Sequence, residues 1–587
     1  MLSAALVLGL ALAAGARGDK LPVVDLGHSL HRGALNEAGD VYVFKNIRFG
    51  EPPVGGRRFR PAGPVATVNR TVDDGAVDYI CPQAFPEWYV RKGADAMGLA
   101  PEAMRALLEA APAQSEDCLF LDVWVPKKIY RRSASGPGTK GAPVLVWICG
   151  GGYIQGSKNR YNPTGLLARS MKNNGDGIVY VGIDYRLGLY GFLNGDGDAD
   201  IVPNVGFHDQ RLALNGAVNK YIHLFGGDGG DVTVLGESAG AGSIMHHITA
   251  EGGAKKVPFG RAIIQSPGFP IYSDVAATWR RVLATASRLA GREVRSGAEL
   301  AALDGPTLLA VNRVAVAESP GNSYTFGPTV DGAYVPDFPG ALLRAGRFDG
   351  RPRLMIGQNS HEGRAYVGPG DNDAAAIRAK AESVLPDLSA EDMDYVWTEL
   401  YPPPPQTGLY GSESDRGALL FTEAFFTCNT RFLAAAFHND TWSYRFQVPP
   451  GEHGQDVAYT FYSAGGVGAP ADARLGPVDA RLAGDMQQYM LNFAATGSPN
   501  APPGRLPEWP PYGDRARLLT FGPEGVGTGS DEVEGRSRRC AFWQSGVGRA
   551  ASRAAKGVDV GRGDGARRDE AGSGERLSSG GQSLRGK

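Results

Sequence analysis

Cysteine is scarce in this chain. Five residues in 587 (Cys81, Cys118, Cys149, Cys428 and Cys540) allow two bridges and a leftover thiol, which excludes a small disulfide-stapled scaffold. Spacing alone does not assign the pairs. Net charge is nearly absent too, at −2, so the chain lacks the basic surplus that marks a nucleic-acid binder. Beyond the first eighteen residues, no run is apolar for long enough to span a bilayer. Histidine numbers only nine, few enough for each to be weighed as a base.

Apolar residues are not lacking. They make up 42% of the chain, enough for a sizeable core at a length that large α/β enzymes reach around one sheet. Met1 to Gly18 is rich in Ala and Leu, and Ala14-Gly15-Ala16 offers a small-residue cleavage site. This predicts a secretory leader over 1–18, although its first residues lack Lys and Arg. A secreted chain would make Asn69-Arg-Thr71 and Asn439-Asp-Thr441 glycosylation sequons. From about Val547 the sequence is Gly, Arg, Ser and Asp with almost no large apolar side chain. The expectation is one domain over 19–547 and a disordered tail over 548–587, without the hydrophobic end of a lipid anchor.

Strand-like runs stand at Val41–Phe44, Glu116–Pro126, Pro143–Ile148, Gly177–Asp184, Val232–Leu235, Arg261–Gln265, Arg353–Gly357, Trp442–Val448 and Arg517–Phe521. Helical stretches such as 204–214 alternate with them, which predicts a large, mostly parallel α/β sheet flanked by helices. Asp196, Asp198 and Asp200 imitate a calcium loop, but Ile201 takes the glycine place and no glutamate closes it. No metal is expected. Gly150-x-Gly152 with Asp184 imitates a dinucleotide loop, but no clear helix opens at the glycines and Pro163 soon follows. No cofactor is expected either.

Chemistry concentrates at Val232-Thr-Val-Leu-Gly-Glu-Ser-Ala-Gly-Ala-Gly-Ser243. A strand that turns directly into a helix strains the middle residue of its turn, and glycines on either side remove the clashing Cβ atoms. Ser238 then stands exposed at a helix N-terminus, as a nucleophile requires. Gly-x-Ser-x-Gly alone is weak, since about one chance match is expected in so glycine-rich a chain; its place between strand and helix gives it weight. A serine needs a histidine to take its proton and a carboxylate to hold that histidine. In the strand–turn–helix arrangement the base follows the serine, which removes His28, His31, His208 and His223. His246 and His247 lie on the helix leaving the turn, and His438 precedes its strand. Of the two in loops after strands, His361 and His453, the latter is last in the chain and sits among glycines. Glu362, between serine and base, is the acid.

Several separate stretches carry a family likeness: Glu51-Pro-Pro-Val-Gly with Arg58-Phe-Arg-Pro61, Glu116-Asp-Cys-Leu, Tyr185-Arg-Leu-Gly, Asp209-Gln-Arg-Leu-Ala-Leu, Phe225-Gly-Gly-Asp, Gly236-Glu-Ser-Ala-Gly and Gln265-Ser266. Over about 500 residues the chain resembles the type-B carboxylesterases, the cholinesterase-like group of α/β-hydrolases that includes fungal esterases and lipases. The resemblance implies an α/β-hydrolase fold and a Ser238–Glu362–His453 triad acting on a small-molecule or lipid ester. It implies an oxyanion hole on the N–H groups of Gly151, Gly152 and Ala239, with Ser266, Asp456 and Glu237 around the triad. It pairs Cys81 with Cys118 and Cys428 with Cys540, and Arg58 with Glu116 and Arg186 with Asp209 as structural ion pairs. Oligomeric state is not implied.

The chain departs from the family at three places. Cys149 stands before the oxyanion glycines in place of a histidine or other large residue, and His361 replaces an aspartate. Asn215-Gly216 replaces an acidic or aromatic pair. Trp88 lies too near Cys81 to match the choline-binding tryptophan of cholinesterases. Cys149 reads either as a buried inert thiol or as a point where a bulky adduct would displace the oxyanion N–H groups. The 81–118 loop reads either as a mobile flap or as a fixed wall, because its helical stretch 101–110 puts Met104, Leu107 and Leu108 on one face. Three functions remain: a secreted serine esterase, an interfacial lipase, and an inactive binding relative. For the enzyme, a neutral His453 predicts activity rising with pH through roughly 6 to 7.5.

Overall fold

The computed structural model describes residues 21–546 except 37–39, 110–112, 134–139, 269–274, 320–322, 369–370, 386–387, 465–475, 501–505 and 535. The expected leader and tail lie outside the described residues. Eleven strands form the main sheet: β1 (Ala34–Asn36), β2 (Val41–Arg48), β3 (Phe120–Pro126), β4 (Ala142–Ile148), β5 (Val179–Ile183), β6 (Gly227–Glu237), β7 (Arg261–Gln265), β8 (Arg353–Asn359), β9 (Trp442–Phe446), β10 (Arg517–Gly522) and β11 (Gly525–Ser530). Their spatial order is β11-β10-β9-β8-β7-β6-β4-β5-β3-β2-β1. The strands from β4 to β10 pair in parallel, and antiparallel pairs close both edges. β5 is buried along its whole length, as expected where helices cover both faces of a parallel sheet. A separate three-stranded sheet of Val23–Asp25, Ser29–Arg32 and Asn69–Asp73 lies near the N-terminus.

The strand order reverses at one point that matters for function. From β4 the chain moves outward to β5, then returns to place β6 on the other side of β4. Loops leaving β4 and β6 therefore diverge at their carboxyl ends, and such a switch point is where open α/β sheets bind ligands. The glycine loop follows β4 and the Ser238 turn follows β6. β6 starts earlier than the sequence reading, at Gly227, because Gly227 pairs with Ala142 across a register shift in β4. The 204–214 helix forms at Val205–Arg211 and runs on into a π-helical turn, Leu212–Val218.

Two disulfides form, Cys81–Cys118 and Cys428–Cys540. Closing a loop of 37 residues stabilises a fold by about 3–4 kcal/mol in the chain-entropy account. Between Cys81 and Cys118 lie two helices, α1 (Glu87–Met97) and α2 (Pro101–Glu109). They share a small core of Phe85, Val90, Ala94 and Met104, apart from the main one. The expected apolar face of α2 is narrower than the sequence reading: Met104 is buried with Leu108 against the cluster, whereas Leu107 is 55% exposed. The ion pairs Arg58–Glu116 (2.6 Å) and Arg186–Asp209 (2.7 Å) are both present.

Candidate active site

Ser238 occupies the turn between β6 and an eleven-residue helix, α3 (Ala239–Thr249), with φ 55° and ψ −122°. A side chain rarely adopts that conformation, and strain of this kind persists only where the surroundings enforce it. Here they do. A Cβ at Gly236 would lie 2.6 Å from the carbonyl carbon of Gly240, and one at Gly240 would lie 2.0 Å from the Ile148 carbonyl oxygen. The N–H of Ser238 donates to Gln265 O (3.0 Å) and its carbonyl accepts from Gly242 N (2.8 Å). The hydroxyl is thereby presented at a helix N-terminus, at the carboxyl end of the sheet.

His453 lies in the loop after β9, and Glu362 in the short 3₁₀ turn after β8. His453 Nε2 is 2.8 Å from Ser238 Oγ, and Nδ1 is 2.6 Å from Glu362 Oε2. The remaining Glu362 oxygen accepts from Ser266 Oγ (2.6 Å) and from the Asn359 N–H (2.6 Å). Asn359 Nδ2 also reaches Asp456 Oδ1 (3.2 Å), and Tyr444 OH donates to Asp456 Oδ2 (2.6 Å). Segments at the carboxyl ends of four adjacent strands, β6 to β9, thus meet in one hydrogen-bond network. Sequence reasoning found Ser266 and Asp456 but missed Asn359, Gln265 and Tyr444. Their links to Asp456 and Glu362 arise between separate strands, and no local pattern signals them.

Glu237 lies on the other side of the histidine. Its Oε1 is 3.4 Å from His453 Nε2 and accepts no hydrogen bond. Burial pushes its carboxyl up to about 8, since a charge without donors is costly away from water. Burial also works to lower the imidazole, but the Glu237 and Glu362 carboxyls outweigh it and raise His453 to about 9. The structure therefore moves the expected titration of the base upward from the 6–7.5 window.

The Gly150–Gly152 loop packs directly against this turn. A Cβ at Gly150 would meet Glu237 O at 2.6 Å, and one at Gly151 would meet Gln155 O at 2.2 Å. Both Gly151 (φ 115°) and Gly152 (φ 61°) have left-handed backbones. Among the described residues, the N–H groups of Gly151, Gly152 and Ala239 donate to no protein acceptor, so all three remain available to a ligand oxygen. Cys149 is buried beneath the loop, and burial raises its thiol. That supports the inert reading and removes the access an adduct would need.

Aromatic rings wall the crevice. Tyr324 lies over Gly152, 2.9 Å from where a Cβ would sit. Trp88, from α1, packs edge-on to Tyr324 at 5.4 Å and donates to Ser323 O (3.0 Å). Phe426 covers the His453 ring at 4.3 Å, and Tyr366 lies between Trp88 and Phe425. Lys92 donates to the carbonyls of Arg364 and Ala365. The helical loop is thus tied to the acid-bearing segment, and it contributes an aromatic wall that the sequence reading had not anticipated.

Other sequence candidates fall away from the crevice. Asp184 is buried beside Lys158, whose N–H it accepts (2.8 Å), and faces no nucleotide site. Asp198 accepts from Gly297 N (2.8 Å), while Asp200 pairs with Arg60 (2.7 Å), so that turn is held by protein groups. His246 and His247 are buried, and His247 is bonded to Tyr334 and Gln210. Asn69 is exposed on its strand and Asn439 is partly exposed.

Comparison with known proteins agrees with the fold. The model of the Carboxylesterase family matches residues 23–543. The carboxylesterase patB of Aspergillus clavatus is 36% identical, covering 93% of this chain and 99% of its own. A secreted lipase of Arthroderma benhamiae is 31% identical over 82% of this chain and 90% of that one. The crystal structure of Aspergillus niger EstA superposes with a TM-score of 0.73 at 26% identity, covering 89% of this chain and 98% of that one.

Proposed function

The chain belongs to the carboxylesterase family and is a carboxylic ester hydrolase; from that premise we propose that Ser238 is its nucleophile. The carrying observation is the unbroken line from Ser238 Oγ through His453 to Glu362, at 2.8 and 2.6 Å. Neutral His453 accepts the serine proton at Nε2 as Oγ attacks the ester carbonyl. Glu362 holds Nδ1–H and stabilises the imidazolium that forms. Negative charge develops on the carbonyl oxygen, where the N–H groups of Gly151, Gly152 and Ala239 meet it. Each such donor contributes roughly 10²–10³ in rate. His453 then gives its proton to the leaving alcohol, and the acyl group stays on Ser238. In the second half His453 takes a proton from water, which attacks the acyl-enzyme and releases the acid.

The walls bear on substrate choice. Tyr324 over Gly152 and Phe426 over His453 leave the acyl group an apolar, aromatic-lined slot, which favours compact or planar acyl groups over long flexible chains. An interfacial lipase is the second reading, and a specific observation favours it: Met97, Leu99 and Leu107 are exposed on the disulfide loop. Against it stand the Trp88 and Lys92 bonds that tie this loop down. An intact, bonded triad argues against an inactive binding protein. Two disulfides, an exposed Asn69 sequon and a relative named as a secreted lipase support secretion and glycosylation.

An ester series from acetyl to long-chain acyl, run across the solubility limit of a medium-chain member, tests the reading. It predicts highest kcat/KM for short or aromatic acyl esters and smooth saturation through that limit. A jump on passing it would favour the lipase, and no hydrolysis of any ester would favour the binding protein.

A further inference from the structure

A second cavity lies away from the crevice, between the sheet and the segment that leads into β6. It has a volume of about 120 Å³ and shares no residue with the crevice. Its floor is the outer part of the sheet, with Ile47 on β2 and Val123 on β3. Its roof is the π-helical turn Leu212–Val218 and the turns after it, with Val218, Ile222 and Phe225. These are aliphatic and aromatic surfaces. An apolar cavity of about 150 Å³ admits a single benzene ring, and this one, open at the edge lined by Arg48 and Lys220, is of comparable size.

Gly216 lines the cavity from within the π turn. Its backbone is not left-handed. A Cβ there would meet only the Leu212 side chain, at 3.1 Å, within 4 Å. The position can carry a side chain. Lys220 stands at the cavity's margin, exposed, with its Nζ 4.8 Å from the Tyr221 ring centroid. Among the described residues it forms no ion pair. The other cation there, Arg48, is already bonded to Asp117.

We propose that this cavity binds a single small aromatic ring beside Gly216, with an anionic substituent on that ring held by Lys220. An apolar pocket with a few polar groups at its edge is the usual form of a small-molecule site, and π turns recur at functional sites. The ligand class is an arylalkyl carboxylate of one ring.

Toluene and phenylacetate are the probes, with methyl-labelled protein observed by NMR. Both are expected to bind saturably and to give intermolecular contacts from ring protons to the Val218 and Ile222 methyl groups. Gly216→Phe fills the space, and should lower affinity for both probes more than tenfold while raising Tm. Ala217→Phe, on the same wall, reads the same loss should the first variant fail to fold. Lys220→Ala should weaken phenylacetate severalfold and leave toluene unchanged. Three results overturn the proposal: no contacts to Val218 and Ile222 at saturating toluene, unchanged binding in a folded Gly216→Phe or Ala217→Phe protein, or equal loss of both probes in Lys220→Ala.

Discussion

On one side of His453, the Glu362 carboxyl is surrounded by donors: the imidazole, the Ser266 hydroxyl and the Asn359 N–H. On the other, Glu237 is also buried, yet its Oε1 accepts nothing and faces the imidazole across 3.4 Å. The first carboxyl is fixed in place and fixes the ring. The second is placed by the strand–turn–helix geometry of its neighbour Ser238, and its Oε1 faces the ring without a hydrogen bond. Two carboxyls flank one imidazole, and they differ in the hydrogen bonds around them.

Breaking the donor-rich side should cost most. Glu362→Gln keeps the shape but loses the charge facing Nδ1–H, and kcat should fall by about 10³–10⁴, measured by steady-state hydrolysis of a short-chain ester. His453→Ala should match it, and the double variant should lose little more, because the residues act as a unit. A double variant whose losses multiply would show that the two do not share one step.

Breaking the bare side should act on pH. His453 is raised to about 9 by its carboxyl neighbours, and only its neutral form accepts a proton. Activity should therefore be low while the ring is protonated, and kcat/KM should rise with pH through a midpoint above the ordinary imidazole value of 6.5. Glu237 titrates in the same range, so the midpoint belongs to the pair. Glu237→Gln removes the charge that favours the imidazolium. The kcat/KM midpoint should move to lower pH, with a loss in kcat smaller than that of Glu362→Gln. An unchanged midpoint would leave Glu237 without an electrostatic role.

Smaller effects should follow from the outer bonds. Ser266→Ala deletes one of the donors to Glu362 Oε1 and should lower kcat by about tenfold, in line with second partners of oriented groups. Smallest of all, Cys149→Ala should leave kcat and thiol-reagent sensitivity unchanged, because the buried thiol is neither ionised nor reached. Inhibition of the wild type that disappears in Cys149→Ala would reverse that statement.

The donor-rich side was largely legible in the sequence. A Gly-x-Ser-x-Gly turn between strand and helix is a local pattern, and chain order leaves few histidines and acids to complete it. The bare side was legible only in part. Glu237 sits next to Ser238 in sequence, but that its carboxyl lacks a donor depends on the packing of the Gly150 loop and His453. Asn359 and Tyr444 were invisible for a related reason, and Trp88 was read only as too near Cys81 to match a choline-binding tryptophan. Each acts across strands or from another loop, at 91 residues' separation in the case of His453 and Glu362 themselves. Leu107 shows a different limit. The 3.6-residue period places it near Met104, but the small loop core accepts only Met104 and Leu108, so the pattern overstates the buried stripe. The early start of β6 and the π turn after Arg211 likewise follow from partners that a single strand or helix does not reveal.

The central claim is that His453 activates Ser238 and no other residue for attack. Peptide mass spectrometry after treatment with an organophosphonate tests it most directly. The account predicts a single adduct on Ser238, formed faster as pH rises through the His453 midpoint, and no adduct on the Ser238→Ala protein. Labelling of the Ser238→Ala protein at a comparable rate would contradict it.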